Sequence, residues 1–286
     1  MLLSPDVNLD DMAAQTTGLV GADLANLLNE SALLAARRHA TSVSKVDLDE
    51  AIERVIAGLE RKSRRLGTHE RVVVAYHEAG HAIAAELLPT QDPVRKVSIV
   101  PRGVGALGYT LQKPREDRYL MSRQEILDRL VVLLGGRVAE QRTFGDASTG
   151  AQDDLVNATD IARRMVRELG MGGAAGLGLA SFDPRRSVTF ERGGYDYSEE
   201  TARVVDAEVG RLLAEAEART KALINEHFAA LERIARKLLE VETLSGEEVR
   251  ALLHATAAEK PRLAEAEVVD VALDEVPSSE ARPRVA

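Results

Sequence analysis

The chain has 286 residues, 45% apolar and 29% charged, which is enough for one large or two modest domains with a core. It contains no cysteine, so disulfides and thiolate metal ligands are excluded, and a net charge of −9 argues against a general nucleic-acid binder. Aromatics are scarce while Ala and Leu are abundant, which favours helices over sheets; no apolar run of about 18 residues is present to span a membrane, and the acidic start MLLSPDVNLDD is no signal peptide.

In chain order, a short helix is predicted at Leu9–Gln15, broken by the stretch 17–21. A longer amphipathic helix follows from Ala22 to about Arg38, with Leu24, Leu27, Leu28, Ala32 and Leu33 on one face. Residues 42–44 form a turn, and Ser44 can cap a third helix, Lys45–Leu59, that buries Val46, Leu48, Ile52 and Val55. These helices make a small bundle over residues 1–62. The run ERKSRR at 60–65 reads as an exposed basic hinge.

A second unit, 67–255, opens with RVVVAYHEAGHAIAAELL, 71–88, apolar at helical spacing and stopped by Pro89 and Pro93. Within it, His77-Glu78-Ala79-Gly80-His81 matches H-E-x-x-H. Residues four apart share a helix face, so both imidazoles can converge on one ion. Glu78 lies about 100° round the helix, in reach of a water on that ion but not as a ligand. The bland alternative is a pair of hydrogen-bonded, inert histidines beside a buried helix. Gly80 costs about 1 kcal/mol of helix propensity relative to Ala, which points to close approach of another backbone.

Two short strands, Val94–Val100 and Gly108–Leu111, flank a turn containing Pro101, Gly103 and Gly105. Ser122 caps a helix carrying Ile126, Leu130, Leu133 and Leu134, which continues through Arg137–Thr143. Residues 145–150 form a loop, and Thr149 is the expected cap of a helix Gln152–Leu169. The glycine-rich stretch 170–178 is loop, and the polar stretch 183–196 is expected to be mobile. Ser198 starts a long helical stretch to Glu240, bent near Ile224–His227, and a last helix covers Gly246–His254. Residues 256–286 are rich in Glu, Ala, Pro and Ser and read as a disordered acidic tail.

A catalytic zinc takes three protein ligands and keeps one open position. Without cysteine, the third ligand must be His, Asp or Glu from elsewhere. The segment 146–166 offers Asp153, Asp154 and Asp160, and the first two equally suit the positive end of a helix. Spacing leaves these alternatives open.

Several motifs, in order, resemble the FtsH-type AAA+ zinc proteases of the M41 peptidase class. They are TTGLVGADLANLLNESALLAAR (16–37), AYHEAGHAI (75–83), DPVRKVSIVPRGVGALGYT (92–110), LLGGRVAE (133–140), STGAQDDL (148–155), YSEETARVVDAEV (197–209) and LLEVETLSGEE (238–248). The resemblance covers about residues 5–255 and implies a mainly α fold. An AAA+ lid bundle is followed by a mostly helical zinc peptidase domain with a few short β-strands.

It implies one Zn2+ held by His77, His81 and Asp154, with Glu78 as catalytic base, and cleavage of unfolded or membrane-protein substrates. Asp153 stands where Asn is usual, and Gln141 where many members have a second Glu, which makes position 141 an unlikely ligand. Tyr76 and Tyr109 are weak candidates for oxyanion stabilisation, more naturally core residues. The strand edge 97–99 or 107–111 could hold substrate as an added strand.

Complete members carry a membrane anchor and an ATP-binding core and are hexameric, so the resemblance implies a cytoplasmic location, or the cytoplasmic face of the bacterial inner membrane if this chain is part of a longer anchored protein. This sequence contains no G-x-x-x-x-G-K-[ST], so ATP would act only through an AAA+ core not found in it. The alternative reading is a non-proteolytic hexameric scaffold or a regulatory fragment. The intact HEAGH speaks against it, because nothing else requires Glu78 between the two histidines.

Overall fold

The computed structural model describes residues 2–59, 67–102, 107–112, 120–173, 177–182 and 197–255. The stretches expected to be a basic hinge (60–65), a mobile segment (183–196) and a disordered acidic tail (256–286), with most of the turn expected after the first strand, lie outside the described residues.

The N-terminal bundle contains α1 (Leu9–Gln15), α2 (Gly21–Arg37) and α3 (Lys45–Ala57). Asn8 caps α1 by accepting from the amides of Asp10 and Asp11. Asp23 and Asp47 reach back to the amides of Val20 and Ser44, which start α2 and α3. The Ser44 hydroxyl donates to Asp47 instead of capping an amide. A core of Met12, Leu27, Ala35, Val43, Leu48, Ala51 and Ile52 joins the bundle.

The buried stripe of α2 runs through Leu27, Ser31 and Ala35, so the expected face is corrected: Leu24, Leu28 and Leu33 are exposed. Val46 is likewise 73% exposed, not buried. The α2 difference arises because several leucine faces of a Leu- and Ala-rich helix satisfy a 3.6-residue period, and only the packing selects one.

The main body is built round α4 (Thr68–Leu87), buried continuously from Val74 to Ala85. It packs on β1 (Val94–Ser98) and β2 (Tyr109–Gln112), which are joined by a third strand, β3 (Thr243–Ser245), that sequence patterning does not reveal. The order is β2-β1-β3, antiparallel throughout, with Val97 opposite both Thr110 and Leu244. Three residues are too few to show alternation, which is why β3 was not legible.

Next come α5 (Arg123–Phe144), a 3-10 turn at Thr149–Ala151, α6 (Gln152–Arg167), α7 (Glu199–Glu226), α8 (Phe228–Val241) and α9 (Gly246–His254). Ser122 and Glu125 form a capping box at the start of α5, which runs unbroken through Gly135-Gly136. The cap expected from Thr149 is corrected: Ser148 caps the 3-10 turn, and Thr149 lies inside it. The long C-terminal stretch divides at His227, within the expected bend. One core joins α4, β1, α8 and α9, and a second joins α5, α6 and α7. Among the described residues no helix is long and apolar enough to cross a membrane.

α4 and α5 touch backbone to backbone. A Cβ on Gly80 would lie 2.4 Å from the Gly135 carbonyl oxygen and 2.7 Å from Ala139 Cβ, and one on Gly135 would lie 2.7 Å from the Gly80 carbonyl oxygen. The propensity cost of Gly80 therefore secures helix contact that no side chain permits. Gly80→Ala should destabilise the fold by about 1–3 kcal/mol through overpacking. A thermal melt checks this; an unchanged melting temperature would show that the helices separate freely.

Candidate metal centre

The buried helix α4 carries His77, Glu78 and His81, which are 9%, 7% and 9% exposed. A buried imidazole must have partners for both ring nitrogens. Nδ1 of His81 lies 2.8 Å from the Val132 carbonyl of α5 and donates to it. Nδ1 of His77 donates to Glu140 Oε1 at 2.6 Å. Each Nδ1 is thereby committed to α5, and each Nε2 turns inward. The two Nε2 atoms stand 3.0 Å apart. Gly136 gives His77 its space, because a Cβ there would meet the ring at 2.5 Å.

Asp154, in the first turn of α6, closes the group. Its Oδ2 lies 3.3 Å from His77 Nε2 and 3.4 Å from His81 Nε2. The ligand atoms of His77, His81 and Asp154 all fall within 4.8 Å of one another. Tetrahedral zinc with nitrogen and oxygen ligands at about 2.0–2.1 Å places its ligand atoms about 3.3 Å apart. The observed spacings fit that ion, with one position left over.

The electrostatics give the same answer. Burial disfavours charge on His77, but hydrogen bonds to Asp154 and Glu140 outweigh it and push the imidazole up to about 10. Burial likewise opposes the Asp154 carboxylate, yet hydrogen bonds from His77 and His81 hold it well below the usual range. Glu140 is lowered too, its burial outweighed by the His77 hydrogen bond. The cluster keeps a proton where its charges call for a cation, and a metal ion would displace that proton.

Glu78 stands outside the ligand group. Burial raises its pKa above the ordinary carboxylate range, against the pull of the histidines. Its Oε2 accepts from the Thr110 hydroxyl of β2 at 2.8 Å. The site opens into a cavity of about 700 Å3, lined among others by His69, Val73, Leu133, Tyr109, Gln152 and Asp153.

The remaining sequence candidates fall elsewhere. Asp153 is exposed at the cavity rim, and Asp160 is exposed beside Arg163. Tyr76 is buried against Phe144, with ring centroids 5.5 Å apart, and the Tyr109 hydroxyl is engaged by Glu53.

Glu140 was missed by sequence reasoning, which weighed only its neighbour Gln141. Its carboxylate, 1% exposed, binds His77 through one oxygen and the Ser148 amide through the other. It thus ties the ring of α4 to the turn that presents Asp154. The signal available was its place one helical turn after Gly136, on the face that must meet α4.

A model of peptidase family M41 matches residues 64–252, and one of the AAA+ lid domain matches residues 6–50. The chain is 65% identical over 261 residues to ATP-dependent zinc metalloprotease FtsH 2 of Sorangium cellulosum, covering 88% of this chain and 43% of that protein. It is 52% identical over 252 residues to ATP-dependent zinc metalloprotease FtsH of Syntrophobacter fumaroxidans, covering 87% and 39%. The corresponding protein of Ralstonia pickettii is 49% identical over 267 residues, covering 91% and 37%. The chain belongs to peptidase family M41. It spans roughly two fifths of the length of the curated relatives it matches.

Loss of a carboxylate that orients a ligating histidine typically weakens metal affinity about 10–100-fold. Glu140→Gln should do so here while the fold persists. Chelator competition measures it, and wild-type affinity would leave Glu140 without the orienting role.

Proposed function

We propose that this chain is a zinc-dependent endopeptidase in which His77, His81 and Asp154 hold the ion and Glu78 is the general base. The observation that carries this reading is the convergence of two Nε2 atoms and one carboxylate oxygen beside a separate, buried glutamate at the floor of an open cavity. When bound there, zinc supplies a Lewis acid that polarises a peptide carbonyl and acidifies water.

The chain's own groups do the rest. Glu78 takes the proton of the attacking water and later delivers it to the nitrogen of the leaving amine. Its burial suits that exchange, because raising the pKa of a carboxylate makes it a stronger base toward the attacking water. His77 and His81 are held rigid by Glu140 and Val132, so the ligands need no reorganisation.

Among the described residues β2 pairs with β1 only, and its other edge borders the cavity. An extended polypeptide could add there as a strand. Such recognition reads the backbone, so the substrates are unfolded proteins of broad sequence. Residues 1–62 serve as a lid and 67–255 as the peptidase unit, with ATP acting through an AAA+ core, in line with relatives named as ATP-dependent metalloproteases. The chain acts in the cytoplasm, or at the cytoplasmic face of the membrane as part of a longer anchored protein, and assembles as a homo-hexamer.

Glu78→Gln should keep about one zinc per chain and lose at least about 100-fold in cleavage of an unfolded fluorescent protein. Full activity in that variant would remove Glu78 as the base. Asp154→Ala should bind zinc more weakly, and wild-type retention against a chelator would refute it as a ligand. For the hexamer, light scattering should return six times the 31.0 kDa chain mass; a purely monomeric solution at micromolar concentration would contradict it.

A further inference from the structure

Helix α3 of the N-terminal bundle docks on the sheet through a buried carboxylate. Glu53 is 3% exposed and accepts from three groups of the main body. Its Oε1 accepts from Lys96 Nζ at 2.6 Å, and its Oε2 accepts from Arg102 at 2.9 Å and from the Tyr109 hydroxyl at 3.0 Å. Arg102, itself 2% exposed, also lies over the Tyr109 ring, 5.2 Å from its centroid. One turn earlier on α3, Asp49 accepts from Arg95 at 2.7 Å. Asp49, Glu53, Arg95 and Lys96 thus form an ionic seam between bundle and sheet.

Tyr109 is followed in β2 by Thr110, and successive strand residues point to opposite faces. Tyr109 reaches the bundle and Thr110 reaches Glu78, to which it donates at 2.8 Å. Gly108 completes the contact: a Cβ there would lie 2.8 Å from Glu78 Cγ and Oε1. Residues 108–110 therefore form a wall against the Glu78 side chain. β2 is an edge strand, held by hydrogen bonds to β1 on one side only among the described residues. Its position depends correspondingly more on side-chain anchors, of which the Tyr109–Glu53 hydrogen bond is one.

We propose that Glu53 and Tyr109 are positioning residues for the peptidase reaction, through which docking of the N-terminal bundle holds Thr110 against Glu78. Displacement of α3 removes the acceptor of Tyr109, loosens β2 and leaves the Glu78 carboxylate without its fixed donor. Cleavage then depends on the posture of the bundle while the metal ligands, fixed by α5, do not. The inference rests on Glu78 being the base.

Full-length variants test the relay with zinc content, melting temperature, kcat and KM on an unstructured fluorescent polypeptide. Y109F and E53Q should each lower kcat about 10–100-fold, as misplacement of a catalytic group does, with zinc content unchanged. The double variant E53Q/Y109F should be no slower than the slower single one, because both remove the same link. T110V should show the same kcat loss, and T110S should restore it. Y109F alters only the main body, so it remains informative if E53Q unfolds the bundle.

Independent, multiplying effects in the double variant would overturn the relay. So would zinc loss in proportion to kcat, or wild-type kcat in E53Q and Y109F while E78Q is inactive. If E78Q were itself fully active, the assignment of the base would fall, and the relay with it; the E78Q control tells these failures apart.

Discussion

Helices α4 and α5 meet at Gly80 and Gly135 without side chains between them, and the geometry of the metal centre is measured from that contact. Close approach brings the Val132 carbonyl and the Glu140 carboxylate of α5 within hydrogen-bonding distance of the two imidazoles on α4. Those bonds occupy both Nδ1 atoms and leave both Nε2 atoms facing a single point. A helix pair separated by ordinary side chains, with axes about 8–10 Å apart, would hold the rings less closely. The glycines lower local helix propensity, and the burial of α4 along its middle three turns offsets that cost.

The site concentrates charge that the interior tolerates only when paired. His77, Glu78, His81 and Glu140 are all buried, and Asp154 is partly so. Each has a defined partner, and the Nε2 and Oδ2 atoms converge at spacings that suit a bound cation. Glu78 differs from the other carboxylates in its environment: burial lifts it, whereas hydrogen bonds to histidine lower Asp154 and Glu140. Three carboxylates of one cluster are thereby separated by their surroundings, one raised by burial and two lowered by the histidines.

A second ionic arrangement, at Glu53, links the two parts of the chain. A buried carboxylate with three donors contributes less to stability than to geometry, since its desolvation consumes much of the Coulombic gain. Its partners lie on β1, just after β1, and on β2, the strand that borders the cavity. The seam therefore fixes where the N-terminal bundle sits against the sheet, and the neighbouring Thr110 carries that placement to the site.

Much of this protein was legible in the residues. HEAGH supplied two histidines and the glutamate because the helical repeat alone places positions four apart together. Capping chemistry at Ser122 and the break at His227 were local as well. The family motifs led to Asp154, although spacing could not separate it from Asp153 or Asp160; only the packing of α6 on α5 and α7 turns one of the three toward the histidines. Glu140, the strand Thr243–Ser245, the buried face of α2 and the pairing of Glu53 with Tyr109 were decided by tertiary structure. They depend on contacts between residues tens to well over a hundred positions apart, and a periodic pattern records only which residues share a face, not what that face will meet.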